Sequence, residues 1–469
     1  MAELLWMAGK AFLIAVILTP IIRDISRSFN IVDRPGARKV HAHPMPRVGG
    51  IAIAIAYGVS LISFSASPLA PSTPPAWKLL PGAALVFLIG LLDDFFSLKP
   101  AVKILGLVSA ASIVFFSGLR VGGIADQPMA VWLEYLLTVF WLLLTSNALN
   151  LIDGLDGLCA GMGLMAALAL FTAAWLHGNY PLAKVTFPLA GALLGFLCYN
   201  ISPATVFLGD SGALLIGFLL GCYGMIWTQK TSTLLSMLVP LLALSIPLLD
   251  VSLSVLRRFL RNQPIFAADR GHIHHRLIDR GFSPRQAVLV LYLFAALAAA
   301  LALLASSILS GPYQGFVILL FCLAAWVGIN KLRYPEFDIV GRLLFRGEFQ
   351  RTMVLQLKME SLTTALERTA TDGQWWEELI RGVSALDLVA IRWISASGTR
   401  ESVLRQGAAR WSLRIPLTPV DAIEIEGGFT SRAHAFDLVG FAQMANRTFP
   451  SGRSAATVPE PERLAALLP

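Results

Sequence analysis

The sequence predicts an all-α polytopic membrane protein with about eleven transmembrane helices and a small α+β domain at its C-terminal end. Three observations predict it. Of 469 residues, 56% are hydrophobic and only 14% charged, with a mean hydropathy of +0.68; a soluble chain runs nearer about 45–50% apolar and about 25% charged. The apolar excess is gathered in long uncharged runs such as Gly212–Trp227 and Leu234–Leu249, which read as membrane spans. After about Lys331 these runs stop and charge returns. The same figures exclude a disordered, collagenous or disulfide-built chain. Cys159, Cys198, Cys222 and Cys322 sit among apolar residues without a C-x-x-C pair, so neither a zinc site nor a disulfide framework is supported.

The first span is the N-terminal run Met1 to Ile22, expected to be retained with its N-terminus outside. It lacks the basic start and the small-residue cleavage site of a secretory signal, and Arg23 and Arg27 follow it. Further spans are predicted at 48–66, 79–92, 101–117, 129–149, 157–176, 181–198, 212–228, 233–255, 286–308 and 314–332. The third and fourth are short and interrupted by Pro81, Gly82 and Lys103. Loops on one side carry fifteen Lys and Arg, from Arg23 to Arg285, while the other side has only Lys78, Arg120, Lys184 and Lys230. Basic loops stay in the cytoplasm, so the odd count places the tail there too. The net charge of +8 therefore reads as topology, and no nucleic-acid partner is expected. In the tail, 345–371 is charged and helix-favouring, Asp372–Gly373 breaks it, and Trp375 to Leu386 reads as another helix. Leu388–Ile394, Trp411–Ile415 and Ala422–Glu426 read as strands. Three regions follow: a membrane domain at 1–334, a helical linker at 335–372 and a small cytoplasmic α+β accessory domain at 373–469.

Acids are rare in this chain, so the places where they gather are informative. Asp93–Asp94 closes the third span, with Lys99 and Lys103 following. Asn147-x-x-Asn150-x-x-Asp153-Gly-Leu-Asp156-Gly lies between the fifth and sixth spans, and Phe207-Leu-Gly-Asp210-Ser-Gly opens the eighth. Asp250 ends the ninth, and the following loop holds Asp269-Arg-Gly-His272-Ile-His274-His275-Arg276. Taken singly, each has a plain structural reading: a helix cap, an Asx turn, a solvated histidine loop or a topology-setting arginine. Convergence of five separate segments on one membrane face is not explained that way. Such a set suits a substrate carrying phosphates. Mg²⁺, with Mn²⁺ as a substitute, takes oxygen ligands from one or two carboxylates plus substrate phosphate; Asp93, Asp94, Asn150, Asp153 and Asp210 supply them. Lys103, Arg276 and the histidines can neutralise remaining phosphate charge. No G-x-x-x-x-G-K-[ST] occurs, so P-loop chemistry is excluded.

These segments resemble the polyprenyl-phosphate N-acetylhexosamine-1-phosphate transferases, the WecA-like branch more than the MraY branch. The likeness runs from Asp33-Arg-Pro-Gly-Ala-Arg-Lys39-Val-His41 to Arg47-Val-Gly49-Gly50. It continues through Asp93–Asp94 with Lys103, Asn147 to Gly157 and Phe207 to Gly212, and ends in Asp250, Arg257–Arg258 and His272–Arg276. It covers roughly residues 1–330; the tail lies outside it. Ala213, Leu107 and Cys159 depart from the usual Ser, Gln and Ala of the family, but none removes a charged group.

The resemblance implies transfer of a sugar-1-phosphate from a UDP-N-acetylhexosamine to a polyprenyl phosphate at the inner face of the bacterial cytoplasmic membrane, with release of UMP. It implies Asp210 and Asn150 as Mg²⁺ ligands, Asp93, Asp94, Lys103 and Asp153 as the catalytic set, and Asp156 and Phe207 near the uracil. Lys103 and Arg276 belong near the diphosphate. Lys39, Arg47, His272, His274, His275 and Arg276 complete the substrate-binding set, the histidine loop being associated with N-acetylglucosamine. A homodimer is also expected. Because the attacking phosphate monoester is largely dianionic at neutral pH, Asp93 is either a base or an organiser of the metal and its waters. The alternative from another class is a secondary transporter with a cytoplasmic regulatory domain. Transporter carboxylates lie near the bilayer midplane in paired repeats, whereas here they lie at span ends and no repeat is visible.

Overall fold

A computed structural model describes residues 1–32, 44–65, 78–121, 129–229, 237–260, 264, 271–307, 312–332, 359–383, 390–396, 398–403, 411–427 and 435–450. The chain divides into two compact units, Met1–Tyr334 and Pro335–Pro469. In the first unit the helices are α1 (Ala2–Ser28), α2 (Gly49–Ser65), α3 (Leu80–Phe96), α4 (Pro100–Phe116), α5 (Val131–Ile152), α6 (Leu158–Leu176) and α7 (Tyr180–Asn200). They continue as α8 (Gly209–Gln229), α9 (Leu238–Ala243), α10 (Ser245–Leu260), α11 (Ile273–Asp279), α12 (Pro284–Ser307) and α13 (Pro312–Lys331). The described parts of the predicted spans lie largely in helix, the ninth divided between α9 and α10. Six of the helices, α1, α5, α6, α7, α8 and α12, are long and apolar enough to cross a membrane. Gly49–Ile62, Pro100–Phe116 and Gly315–Gly328 are shorter apolar helices.

Pro81 and Pro100 stand in the first turns of α3 and α4, where a missing N–H costs nothing, so they start these helices rather than interrupt them. The ninth predicted span differs from expectation. It is broken between α9 and α10 at Leu244, three residues before Pro247, whose ring and missing N–H prevent a continuous ladder; residues 233–236 lie outside the described ones.

Lipid offers no hydrophobic drive between helices, so packing depends on close approach at small residues. Gly191 and Gly195 of α7 form a G-x-x-x-G face against Ala8, Ala11 and Ala15 of α1, which are buried. A β-carbon at Gly191 would lie 2.2 Å from the Ala8 carbonyl oxygen. Helix α8 is the hub: 89% of its apolar window is buried, against 28% for α1 and 33% for α12. It packs on α3 and α5, where Gly217 leaves room for the Thr145 carbonyl and Trp141 Nε1 donates to the Gly221 oxygen at 2.9 Å. Leu5, Trp6, Leu13 and Ile17 of α1 and Leu289, Leu293 and Leu297 of α12 form exposed apolar faces at the rim.

In the second unit β1 (Ala390–Ser395), β2 (Gly398–Val403), β3 (Trp411–Pro416) and β4 (Ala422–Gly427) form an antiparallel sheet in the order β2-β1-β4-β3. Ile391 and Trp393 of β1 pair with Ile425 and Ile423 of β4. They face a core with Trp375, Leu379, Phe441, Phe449, Leu362 and Leu366, so the helical segment 359–367 packs into this unit. The alternate residue Arg392 turns to the other face, toward Glu401, Glu424 and Glu426. Strand β2 was not predicted: Gly-Thr-Arg-Glu-Ser-Val is exposed along almost its whole length and carries no alternating signal. The helix Ala435–Thr448 was also missed, and the stretch 345–358 lies outside the described residues.

Candidate functional site

Helices α2 to α8 alternate in direction, so the starts of α2, α4, α6 and α8 meet the ends of α3, α5 and α7. Segment 46–50 is laced to 207–208: Phe207 N–H donates to the Pro46 carbonyl at 2.8 Å, and Gly49 and Gly50 N–H donate to Phe207 and Leu208 at 3.0 and 2.9 Å. Gly209 has φ +77°, and a β-carbon there would lie 2.6 Å from the Arg47 carbonyl oxygen. Only glycine fits that corner.

Asp94 holds the start of α8 from a different helix. Its two carboxylate oxygens accept the N–H groups of Asp210 at 2.8 Å and Ser211 at 3.0 Å, two of the four donors that every helix start leaves unpaired. One residue earlier, Asp93 accepts the Leu98 N–H at 2.7 Å and the Lys103 ammonium at 2.7 Å. Lys103 stands in the first turn of α4 and also donates to Asp210, so one cation is clasped between carboxylates of α3 and α8. Asn150, near the end of α5, approaches Asp210 Oδ2 at 3.4 Å. All four side chains are half-buried.

Asp153 follows α5 directly. Burial, then the negative charge of Asp210, pushes its carboxyl up to about 7, while Arg47 pulls the other way. Asp156 accepts the Ala204 N–H at 3.0 Å, tying its loop to the α7–α8 connection. Asn200, buried at the end of α7, completes that tie: it accepts from Gly157 N–H at 3.1 Å and donates to the Val206 carbonyl at 2.9 Å. Tyr292 of α12 donates to the Gly157 carbonyl. Neither Asn200 nor Tyr292 was foreseen, although an amide closing an apolar run is a visible signal.

The histidine loop is anchored on α10. Asp250, 1% exposed, accepts from His272 Nδ1 at 2.8 Å and from Ile273 N–H at 2.7 Å. The His272 and His274 rings are parallel, 5.7 Å between centroids, and the His274 ring lies over Gly154. His275 and Arg276 are half-buried at the start of α11. The structure thus links Asp93, Asp94, Lys103, Asn150 and Asp210 directly, sets Asp153, Asp156, Phe207 and Arg47 around them, and brings His274 onto the Asp153–Asp156 loop. Lys39 lies outside the described residues.

Among the described residues no three His, Cys, Asp or Glu side chains close into a metal cage. Asp210 and Asn150 meet through their side chains at 3.4 Å, and Asp153 lies within reach of the Asp210 charge; two carboxylates and an amide are oxygen donors of the kind Mg²⁺ takes.

A helical unit with six helices long and apolar enough to cross a membrane and a polar cluster at one end of its bundle is the architecture of a multi-pass membrane protein. The comparisons specify it further. Residues 76–228 match the model of glycosyl transferase family 4. A Bacillus subtilis protein named "Probable undecaprenyl-phosphate N-acetylglucosaminyl 1-phosphate transferase" is 34% identical over 336 residues, covering 70% of this chain and 93% of the relative. The decaprenyl-phosphate N-acetylglucosaminephosphotransferase of Mycolicibacterium smegmatis is 34% identical over 355 residues, covering 68% and 85%. The undecaprenyl-phosphate alpha-N-acetylglucosaminyl 1-phosphate transferase of Escherichia coli K12 is 30% identical over 309 residues, covering 63% and 82%. The chain belongs to this family of membrane transferases.

Proposed function

We propose that this protein transfers N-acetylglucosamine-1-phosphate from UDP-N-acetylglucosamine to undecaprenyl or another polyprenyl phosphate and releases UMP. The site faces the cytoplasm of the bacterial inner membrane, with eleven crossings and the tail on the same side. The names of the relatives support the acceptor and the transferred group. The observation that carries the reading is the Asp93–Lys103–Asp210 chain, capped by Asp94, at the end of the bundle. A lysine clasped by two carboxylates is a preset charge pattern into which an anionic phosphate and a divalent cation can enter together.

The reaction exchanges one pyrophosphate bond for another, so little net driving force is required. Its difficulty is bringing two anions into line and stabilising the leaving UMP. Lys103, on a rigid helix turn, neutralises phosphate charge without moving. Both oxygens of Asp93 are already engaged, by Leu98 N–H and Lys103, which supports Asp93 as organiser rather than base. Asp210 and Asn150, with Asp153 beside them, would hold Mg²⁺, which when bound supplies charge neutralisation of the diphosphate. Asp156, Phe207 and Arg47 line the approach of the nucleotide. The acceptor's tail stays in hydrocarbon beside the exposed Leu92, Phe96 and Leu105 of α3 and α4, while its phosphate reaches Lys103.

The test is direct. Purified protein with labelled UDP-N-acetylglucosamine, Mg²⁺ and undecaprenyl phosphate yields lipid-linked label and UMP in equal amounts. Transfer from another UDP-sugar alone would move the donor assignment, and release of UDP in place of UMP would refute the reaction.

A further inference from the structure

Four histidine-loop residues were expected to bind substrate, yet the structure gives them two kinds of environment. His272 and His274 are buried, 6% and 1% exposed, whereas His275 and Arg276 are half-buried. His272 is committed: its Nδ1 meets the Asp250 carboxylate, whose other oxygen takes the Ile273 N–H at the head of α11. The Arg257 guanidinium lies against Gly271, so closely that a β-carbon there would be 2.6 Å from Nε. The His274 ring lies beside those of His272 and His275, at 5.7 and 4.3 Å between centroids, and rests on Gly154, where a β-carbon would lie 2.4 Å from its Nε2. Neither ring nitrogen of His274 has a hydrogen-bond partner among the described residues, so its present contribution to that contact is shape.

Gly154 is the residue between Asp153 and the Leu155–Asp156 turn, and that loop borders Asp210. The histidine loop therefore touches the carboxylate loop where the His274 ring is seated on Gly154. We propose that Asp250, His272 and His274 are positioning residues, a clamp that seats the loop on Gly154 and leaves His275 and Arg276 to contact the UDP-sugar donor. The clamp sets the distance between the donor's sugar-phosphate end and the Asp153–Asp210 cluster. It rests on the transferase reading for its substrate, but its mechanical part stands on the contacts alone.

Steady-state kinetics and amide hydrogen exchange on Gly154→Ala, His274→Ala and the double variant test it. A displacement of the loop by about 1 Å misaligns bound groups enough to cost up to about 10²-fold. Gly154→Ala is expected to raise the donor KM about tenfold or more, to leave the acceptor KM unchanged, and to speed exchange of the 273–279 amides. In the double variant the methyl occupies the space the ring has left, so activity falls no further than in His274→Ala; a mere folding defect would lower kcat and leave the KM values alone. Additive losses in the double variant, an equal rise in acceptor KM, or unchanged exchange at 273–279 in Gly154→Ala would overturn the clamp. If wild-type protein transfers no sugar phosphate, the functional reading fails, and the exchange measurement still decides the clamp.

Discussion

Asp94 is the residue whose replacement separates a structural carboxylate from a chemical one. It donates nothing to the Lys103 chain; it accepts two N–H groups at the first turn of α8, at 2.8 and 3.0 Å. In Asp94→Ala both donors lose their charged acceptor at a helix start packed tightly against Gly90. Bonds to a charged acceptor contribute about 1.5–3 kcal/mol each when fully buried, and this carboxylate is half-buried. Reduced to about 1–2 kcal/mol per bond for that partial exposure, the loss is about 2–4 kcal/mol for Ala, and about 1–2 kcal/mol for Asn, which keeps one acceptor. At roughly 2 °C per kcal/mol for a large unit, the apparent melting temperature in detergent falls by about 4–8 °C and about 2–4 °C. Because the same turn carries Asp210, activity falls in the same order, Ala below Asn below wild type. Melting curves paired with transferase assays check this. An Asp94→Ala protein that melts like wild type but has lost turnover would refute the capping argument and return Asp94 to direct chemistry.

Asp210→Asn removes the charge that faces Lys103 and Asn150; turnover drops by at least about 10²–10³ while the protein still inserts, measured on purified membranes, and near-normal activity would remove Asp210 from the site. Burial holds the His274 imidazole down at about 3, against about 6.5 in an unfolded chain. The unfolded state thus binds the extra proton, stability is complete above about pH 6.5, and about 2 kcal/mol is lost by pH 5. Melting curves of wild type and His274→Asn between pH 5 and 8 should show a flatter acid limb in the variant. Gly191→Ala forces a methyl onto the Ala8 carbonyl and costs about 1–3 kcal/mol by overpacking. Gly58→Ala, with nothing within 4 Å, is neutral or stabilising, and melting curves of the two variants compare them.

Much of the candidate site is legible in the sequence. Asp93–Asp94, Asn150, Asp153 and Asp210 were conspicuous because acids and amides at the ends of apolar runs are expensive to keep there. Their division of labour was not visible. Asp93 and Asp94 are adjacent and chemically identical, yet one meets Lys103 and the other caps α8, because successive residues of a helix point about 100° apart. The two environments of the histidine loop were hidden for a similar reason: residue type announces chemistry, while packing decides that His272 and His274 are buried and that His275 and Arg276 are half-buried. The edge strand β2 escaped notice because exposure on both faces erases the period-2 pattern.

By itself, the chain determined what depends on near neighbours: apolar runs that enter a membrane, the acids and amides that close those runs, and the basic loops of one side. Only the tertiary structure decided which groups meet. Lys103 and Asp210 are separated by 107 positions, and His272 and Asp250 by 22. Their contacts exist because small residues let α3, α8 and the neighbouring helices approach closely enough for short side chains to span the gap. Hydropathy and periodicity act within a turn or two of helix, whereas a hydrogen bond across the bundle depends on how every intervening helix is packed.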